Sequence, residues 1–361
     1  MVSPAQRHNP VLVVLYSTDR PPELEARAAL TGPDAEVRYA TPAELPTALP
    51  GAEAVLVWDF VVGDAVRASW PAADALRWVH ATSAGVDKLI FDEMVASDVV
   101  ITNSRGVFDT AMAEYVLGLV LAMAKDLPGT LRHQDRGQWA HRETETITGA
   151  TTVVVGGGPI GAAIAALLGA VGMRVRLVGR RARPGVHDAA ELPRLLGDAD
   201  YLVLAAPLTE QTRGMVDASL LARLPARARL INVGRGPLVV AEDLVTALST
   251  RRLAGAALDV FDTEPLPADS PLWTLPGVIV SPHMSGDFVG WREALVGLFA
   301  DNMARYRAGE PLRNVVDKTK GYVRGTEASL RAEKSDTEAS LRAEKSDTEA
   351  SLRAEKSAKA G

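Results

Sequence analysis

The stretch Gly156-Gly157-Gly158-Pro159-Ile160-Gly161 sits between the apolar run Thr151–Val155 and the helix-like Pro159–Val171. Strand, glycine turn and helix in that order is the context in which such a turn holds a dinucleotide. Gly156 permits the tight turn, Gly158 lets the backbone approach a pyrophosphate, and Gly161 lets helix and strand pack closely. Pro159 and Ile160 open the helix, whose first N–H groups are free for phosphates. A glycine turn that binds nothing is the bland alternative, and it needs none of this order.

The next apolar run is Val175–Val178. A site that prefers NAD places an acid near the end of this strand to hold the ribose 2′-hydroxyl. Here the chain reads Gly179-Arg180-Arg181-Ala182-Arg183, and the first acid after Gly161 is Asp188. Guanidinium groups match a 2′-phosphate, with a delocalised charge and a fork of donors. The expected cofactor is therefore NADP(H), with NAD(H) possible. A solvated basic turn is the competing reading.

Similar apolar runs recur along the chain. A first series is Val11–Ser17, Ala54–Trp58, Arg77–Thr82 and Val99–Asn103. A second is Thr151–Val155, Val175–Val178, Tyr201–Ala205, Arg229–Val233, Gly255–Leu258 and Val278–Ser281. Near-continuous apolar runs suit parallel strands buried on both faces, and their alternation with helices predicts two α/β layers. Between the series, Thr110–Asp126 predicts a long helix, either a connection that also serves a subunit contact or an ordinary core helix. The 361 residues suffice for two domains.

Several functions are excluded or disfavoured. The chain has no cysteine, so disulfides, thiolate metal sites and a cysteine nucleophile are ruled out. No metal site is expected. A formal charge of −6 argues against nucleic acid as a partner. The longest apolar runs are too short to span a membrane, and no signal peptide is legible, so the expected location is the cytoplasm. From Thr326 an 11-residue unit recurs, starting again at Thr337 and Thr348, with one leucine per copy at Leu330, Leu341 and Leu352. One leucine per unit cannot bury a core, so residues 326–361 are expected to be a disordered or solvated helical tail. The first two copies are identical and the third differs only in ending at Ala358, which fits either recent duplication or engineering.

Three polar residues end apolar runs in the second half. Arg235 follows Ile231-Asn232-Val233-Gly234, Glu264 follows Asp259-Val260-Phe261, and His283 follows Ser281-Pro282. Ligands of open α/β sheets bind outside the carboxyl ends of strands, so all three are placed to face one crevice. Singly, each also reads as a loop charge, a surface acid or a structural histidine.

With Thr82-Ser83-Ala84-Gly85-Val86-Asp87, Asn103-Ser104-Arg105-Gly106, Ala113-Glu114 and Pro207-Leu208-Thr209, these segments resemble the D-isomer-specific 2-hydroxyacid dehydrogenase family over about residues 76–322. The resemblance implies two doubly wound parallel-sheet α/β domains, a Rossmann cofactor domain at 105–284 inserted in a flavodoxin-like substrate domain made of 1–104 and 285–325. It implies a homodimer joined through the cofactor domain, and hydride transfer from NADPH to a 2-oxo acid to give an (R)-2-hydroxy acid. His283 becomes the proton donor, Glu264 its partner, and Arg235 the group that holds the substrate carboxylate and polarises its carbonyl. Backbone N–H groups of Ala84 and Gly85 hold the other side of the carboxylate, and Phe60 lines the side-chain pocket. Pro207, Thr212 and Val233 join the glycine turn, Arg180 and Arg181 as cofactor contacts. Asp259 either bonds the nicotinamide amide or caps a strand end. Met284 and Trp291 either approach the same pocket or, as the expected reading, pack in the core. The fold also serves transcriptional corepressors that sense nicotinamide state, which keeps a binding protein as the alternative. A formate or phosphite dehydrogenase is a nearer one, and the Arg–Glu–His set speaks against formate.

Overall fold

The computed structural model describes residues 10–17, 20–21 and 36–323, so the repeats from Thr326 lie outside the described residues. One unit, Met1–Tyr322, carries both large sheets. The first has β1 (Leu12–Leu15), β2 (Val37–Ala40), β3 (Ala54–Val57), β4 (Trp78–Ala81) and β5 (Val100–Thr102), in the order β2-β1-β3-β4-β5. All its pairings are parallel, and this order is that of flavodoxin-like sheets. The second has β6 (Thr151–Val155), β7 (Arg174–Gly179), β8 (His187–Asp188), β9 (Tyr201–Leu204), β10 (Arg229–Asn232), β11 (Gly255–Leu258) and β12 (Val278–Val280). Its order, β12-β11-β10-β9-β6-β7-β8, reverses direction at β6, as in a Rossmann sheet.

Burial explains which strands were legible. The sequences of β1, β3, β6 and β9 are buried throughout and read as apolar runs. Strand β2, Val-Arg-Tyr-Ala, lies at a sheet edge with three of its four residues half-buried, and no apolar run announces it. Two-residue β8 is equally silent.

Helix α1 (Asp109–Ala124) packs Ala113, Val116, Leu119 and Val120 into the core of the second sheet, with Ile164 and Leu168 of α3 (Pro159–Ala170). Between them, α2 (Leu127–Asp135) starts at Asp126, whose left-handed backbone (φ 45°) turns the chain after α1. Helix α4 (Trp291–Ala308) returns to the first sheet, where Val296, Phe299 and Met303 pack on Leu12, Val14, Leu56 and Trp78. Trp78 stacks on Phe299 and Tyr306, with ring centroids 5.4 and 5.3 Å away. Such pairs add about 0.5–1.5 kcal/mol each beyond area burial. Among the described residues no helix is long and apolar enough to cross a membrane.

Candidate active site

The glycine turn divides its labour as its packing requires. Gly156 has φ +132°, and a Cβ there would lie 2.5 Å from the Ala205 carbonyl oxygen. A Cβ on Gly161 would lie 1.7 Å from the Gly156 carbonyl oxygen, so strand and helix close only on glycine. Gly158 faces open space. It is the N-cap of α3 and has no side-chain cap, while Pro159 takes the first turn, where no N–H is needed. The first N–H groups of α3 thus face the open side of the turn, a fit for a pyrophosphate.

After β7, Arg180 and Arg181 are exposed. Arg183, also exposed, donates from Nη2 to the Gly157 carbonyl, tying the basic loop to the glycine turn. Asp188 accepts from the Ala182 N–H at 3.3 Å and from the Ala190 N–H at 2.9 Å. The first acid downstream therefore serves the backbone of the arginine loop and the short helix after it. Thr212 Oγ1 donates to the Pro207 carbonyl at 2.8 Å and accepts from the Thr209 N–H at 2.8 Å, closing the loop after β9. The Val233 N–H donates to the Leu204 carbonyl at 3.1 Å, which holds the end of β10 beside that loop.

Arg235 meets residues in the connections that follow β3 and β4 of the first sheet. Its guanidinium carbon lies 4.4 Å from the Phe60 ring centroid. Its Nε is 3.2 Å from Asp87 Oδ1, and its Nη1 donates to the Gly234 carbonyl at 2.8 Å. The third nitrogen, Nη2, lies 2.2 Å from where a Gly85 Cβ would stand. Gly85 is thus the residue that admits the guanidinium. The Ala84-Gly85 loop is held from below, as Asn103 Nδ2 donates to the Ala84 carbonyl and Ser83 Oγ to the Gly85 carbonyl, each at 2.6 Å. Its own N–H groups stay out of those bonds.

His283 Nδ1 lies 2.7 Å from Glu264 Oε2, and the Phe261 N–H donates to Glu264 Oε1 at 2.9 Å. Burial pushes the Glu264 carboxyl up. The His283 and Phe261 hydrogen bonds and the charges of His283 and Arg235 outweigh it, and the group ends below the usual carboxylate value. His283 has φ +53°, a strained conformation for a residue with a Cβ. Asp259 holds it there. The Asp259 carbonyl accepts from the His283 N–H at 2.8 Å. Its buried carboxylate accepts from Ser281 Oγ at 2.7 Å, the Met284 N–H at 3.0 Å and the Ser285 N–H at 2.9 Å. Of the two readings of Asp259, this geometry is that of a strand-end cap.

Phe60, Gly85 and Arg235 therefore touch, and Glu264, paired with His283, feels the charge of Arg235. Other neighbours carry little sequence signal. Asp87 lay within the quoted motif. Tyr115 of α1, hydrogen-bonded to Ser281, was hidden in a helix pattern. Asp287, four residues beyond His283, interacts with its charge, and burial pushes the Asp287 carboxyl up. Met284 is 41% exposed rather than core, because the Asp259-bound turn directs it outward. Trp291 is half-buried at the start of α4, with Arg292 over its ring.

Comparison with known proteins gives concordant matches. A family model described as D-isomer specific 2-hydroxyacid dehydrogenase, NAD binding domain, matches residues 117–285. A glyoxylate/hydroxypyruvate reductase of Arabidopsis thaliana is 34% identical over 242 residues, 66% of this chain and 77% of that protein. A solved D-isomer specific 2-hydroxyacid dehydrogenase of Xanthobacter autotrophicus, in complex with NADPH and MES, is 33% identical with a TM-score of 0.74. The match covers 87% of this chain and 100% of that one. An NADPH-dependent glyoxylate/hydroxypyruvate reductase of Sinorhizobium meliloti, in complex with NADP and sulfate, is 32% identical with a TM-score of 0.73, covering 86% and 100%.

Proposed function

The chain belongs to the D-isomer specific 2-hydroxyacid dehydrogenase family, and from that premise we propose that it reduces a small 2-oxo acid with NADPH to the (R)-2-hydroxy acid. The observation that carries this reading is the 2.7 Å His283–Glu264 pair beside an Arg235 that reaches the Gly85 loop. NADP(H) is the preferred cofactor and NAD(H) a weaker one, supported by Arg180 and Arg181 where an acid would favour NAD. When bound, the dinucleotide supplies hydride to the substrate carbonyl carbon.

Arg235 forks onto the carboxylate and the carbonyl oxygen, fixing orientation and drawing charge onto that oxygen. The Ala84 and Gly85 N–H groups take the other carboxylate oxygen. His283 delivers the proton to the carbonyl oxygen, and Glu264, kept ionised, orients the imidazole through the 2.7 Å contact with Nδ1. Asp259 holds the histidine turn. A nicotinamide contact from Asp259 would share an oxygen already bonded within that turn. Residues 1–104 with 285–325 form the substrate domain in this reading, and 105–284 the cofactor domain.

The same reading includes a homodimer through the cofactor domain, with α2 and the segment after it as the joining arm. Trp139 is 100% exposed and Leu131 58% exposed there, more apolar surface than a lone arm would leave in water. Sedimentation of the wild type and of Trp139→Ser tests this, and a monomeric wild type removes it.

The test of activity is a panel of glyoxylate, hydroxypyruvate, pyruvate and phenylpyruvate with NADPH and with NADH. Oxidation of NADPH with at least one acid, faster than with NADH, is expected. No loss of nicotinamide absorbance with any of them sinks the proposal.

A further inference from the structure

Arg180 does not stand alone at the edge of the cofactor sheet. Its guanidinium carbon lies 5.4 Å from the ring centroid of Tyr322. Among the described residues neither Arg180 nor Arg181 is paired with a carboxylate. Tyr322 opens the short strand β14 (Tyr322–Val323), which pairs with β13 (Val316–Asp317).

The segment that carries Tyr322 is fastened to the other sheet. Val315 bridges Thr102, the last residue of edge strand β5, in antiparallel fashion. Asn314 Nδ2 donates to the carbonyls of Asn103 and Arg105 at 3.1 and 2.9 Å. Lys318 Nζ donates to the carbonyls of Met94, Ser97 and Val99 at 2.9, 2.5 and 3.0 Å. Tyr322 thus reaches the arginine from a strap pinned to the substrate side of the molecule.

The chemistry of the pair is informative. A carboxylate partner would take the donors and the charge of Arg180. An aromatic ring engages the weakly hydrated face of a guanidinium and leaves its in-plane N–H groups available. We propose that Tyr322 is a positioning residue for selectivity toward NADPH: it holds the Arg180 plane in place and leaves its donor edge for the 2′-phosphate. This rests on the reading that Arg180 receives that phosphate.

The test uses the full chain, with NADPH and NADH dissociation constants measured by calorimetry for Tyr322→Ala, Tyr322→Leu, Tyr322→Phe, Arg180→Ala and the Tyr322→Ala/Arg180→Ala double variant. Loss of the ring in Tyr322→Ala or Tyr322→Leu is expected to lower the NADPH-over-NADH preference about threefold, the size of an exposed cation–π contact. Leucine keeps apolar bulk on the strap, so it separates ring loss from misfolding. Tyr322→Phe restores the preference, and Tyr322→Ala adds nothing once Arg180 is alanine. Equal weakening of both cofactors, or an undiminished effect without Arg180, overturns the proposal. A selective Arg180→Ala with an unselective Tyr322→Ala overturns it alone. An unselective Arg180→Ala removes the phosphate reading beneath it.

Discussion

Glu264 Oε2 lies 2.7 Å from His283 Nδ1, and the other Glu264 oxygen is bonded to the Phe261 N–H. With one oxygen fixed by backbone, the carboxylate cannot turn away from the imidazole. Its lowered pKa keeps it ionised throughout neutral pH, so the pair is present above the usual carboxylate range and is lost only as acid protonates Glu264 below that range. Glu264→Gln removes the charge and keeps the shape. The kcat/KM for reduction at pH 7.5 is expected to fall about tenfold or more, with NADPH affinity retained. An unchanged kcat/KM would contradict the assigned partnership.

Gly85→Ala addresses the other half of the site. The added Cβ would stand 2.2 Å from Arg235 Nη2 and 3.1 Å from Asp87 Oδ1. The obstructing group is the end of a flexible side chain, so the fold yields there and the guanidinium moves. KM for the 2-oxo acid should rise about tenfold, corresponding to about 1.4 kcal/mol of a charged hydrogen bond, with little change in melting temperature. An unchanged KM would show that Arg235 does not hold the substrate from this position.

Asp259→Asn tests what holds the histidine turn. The carboxylate accepts from Ser281, Met284 and Ser285, whereas an amide offers one oxygen and turns N–H groups toward donors. Turnover is expected to drop about 100-fold, since a hydrogen bond to a charged group contributes about 1.5–3 kcal/mol. NADPH affinity, measured separately, should change by less than turnover. A larger loss in NADPH affinity would favour a nicotinamide contact instead.

His80 supplies a prediction about stability. It is wholly buried in β4, with Nδ1 2.7 Å from Thr102 Oγ1, which also accepts from Trp78 Nε1 at 2.8 Å. Burial pushes its pKa from 6.5 down to about 3. The unfolded chain therefore takes the proton first. Stability is full above pH 6.5 and is lost as pH falls toward 3, by up to about 1.4 kcal/mol per pH unit. Urea unfolding at pH 7.5, 6 and 5 should show the decline in wild type and a shallower one in His80→Asn. Equal slopes in both would remove His80 as the cause.

Much of this was written into local chemistry. Thr151–Val155 followed by Gly156 and Gly161 specified a strand, a turn with φ +132° and a helix packed too closely for any Cβ, all within about ten residues. Buried strands announced themselves because both faces demand apolar side chains. Edge strand β2 did not, because half-exposed positions accept arginine and tyrosine. Near Arg180 the chain showed a missing acid and a surplus of arginine, which bears on the cofactor without any contact being known.

Contacts between distant segments belonged to the folded molecule. Arg235 is 148 residues from Asp87, and Tyr322, from the far end of the described chain, brings its ring centroid within 5.4 Å of the Arg180 guanidinium carbon. Periodicity carries no information about such pairs, since they depend on how two sheets and a returning chain end are packed. The glycines, the arginines and the Arg–Glu–His set named the chemistry. The tertiary structure chose Gly85 as the gap for Arg235, Asp259 as the clamp on His283 and Tyr322 as the neighbour of Arg180. Each of those choices is a matter of a few ångströms that only the packed backbone determines.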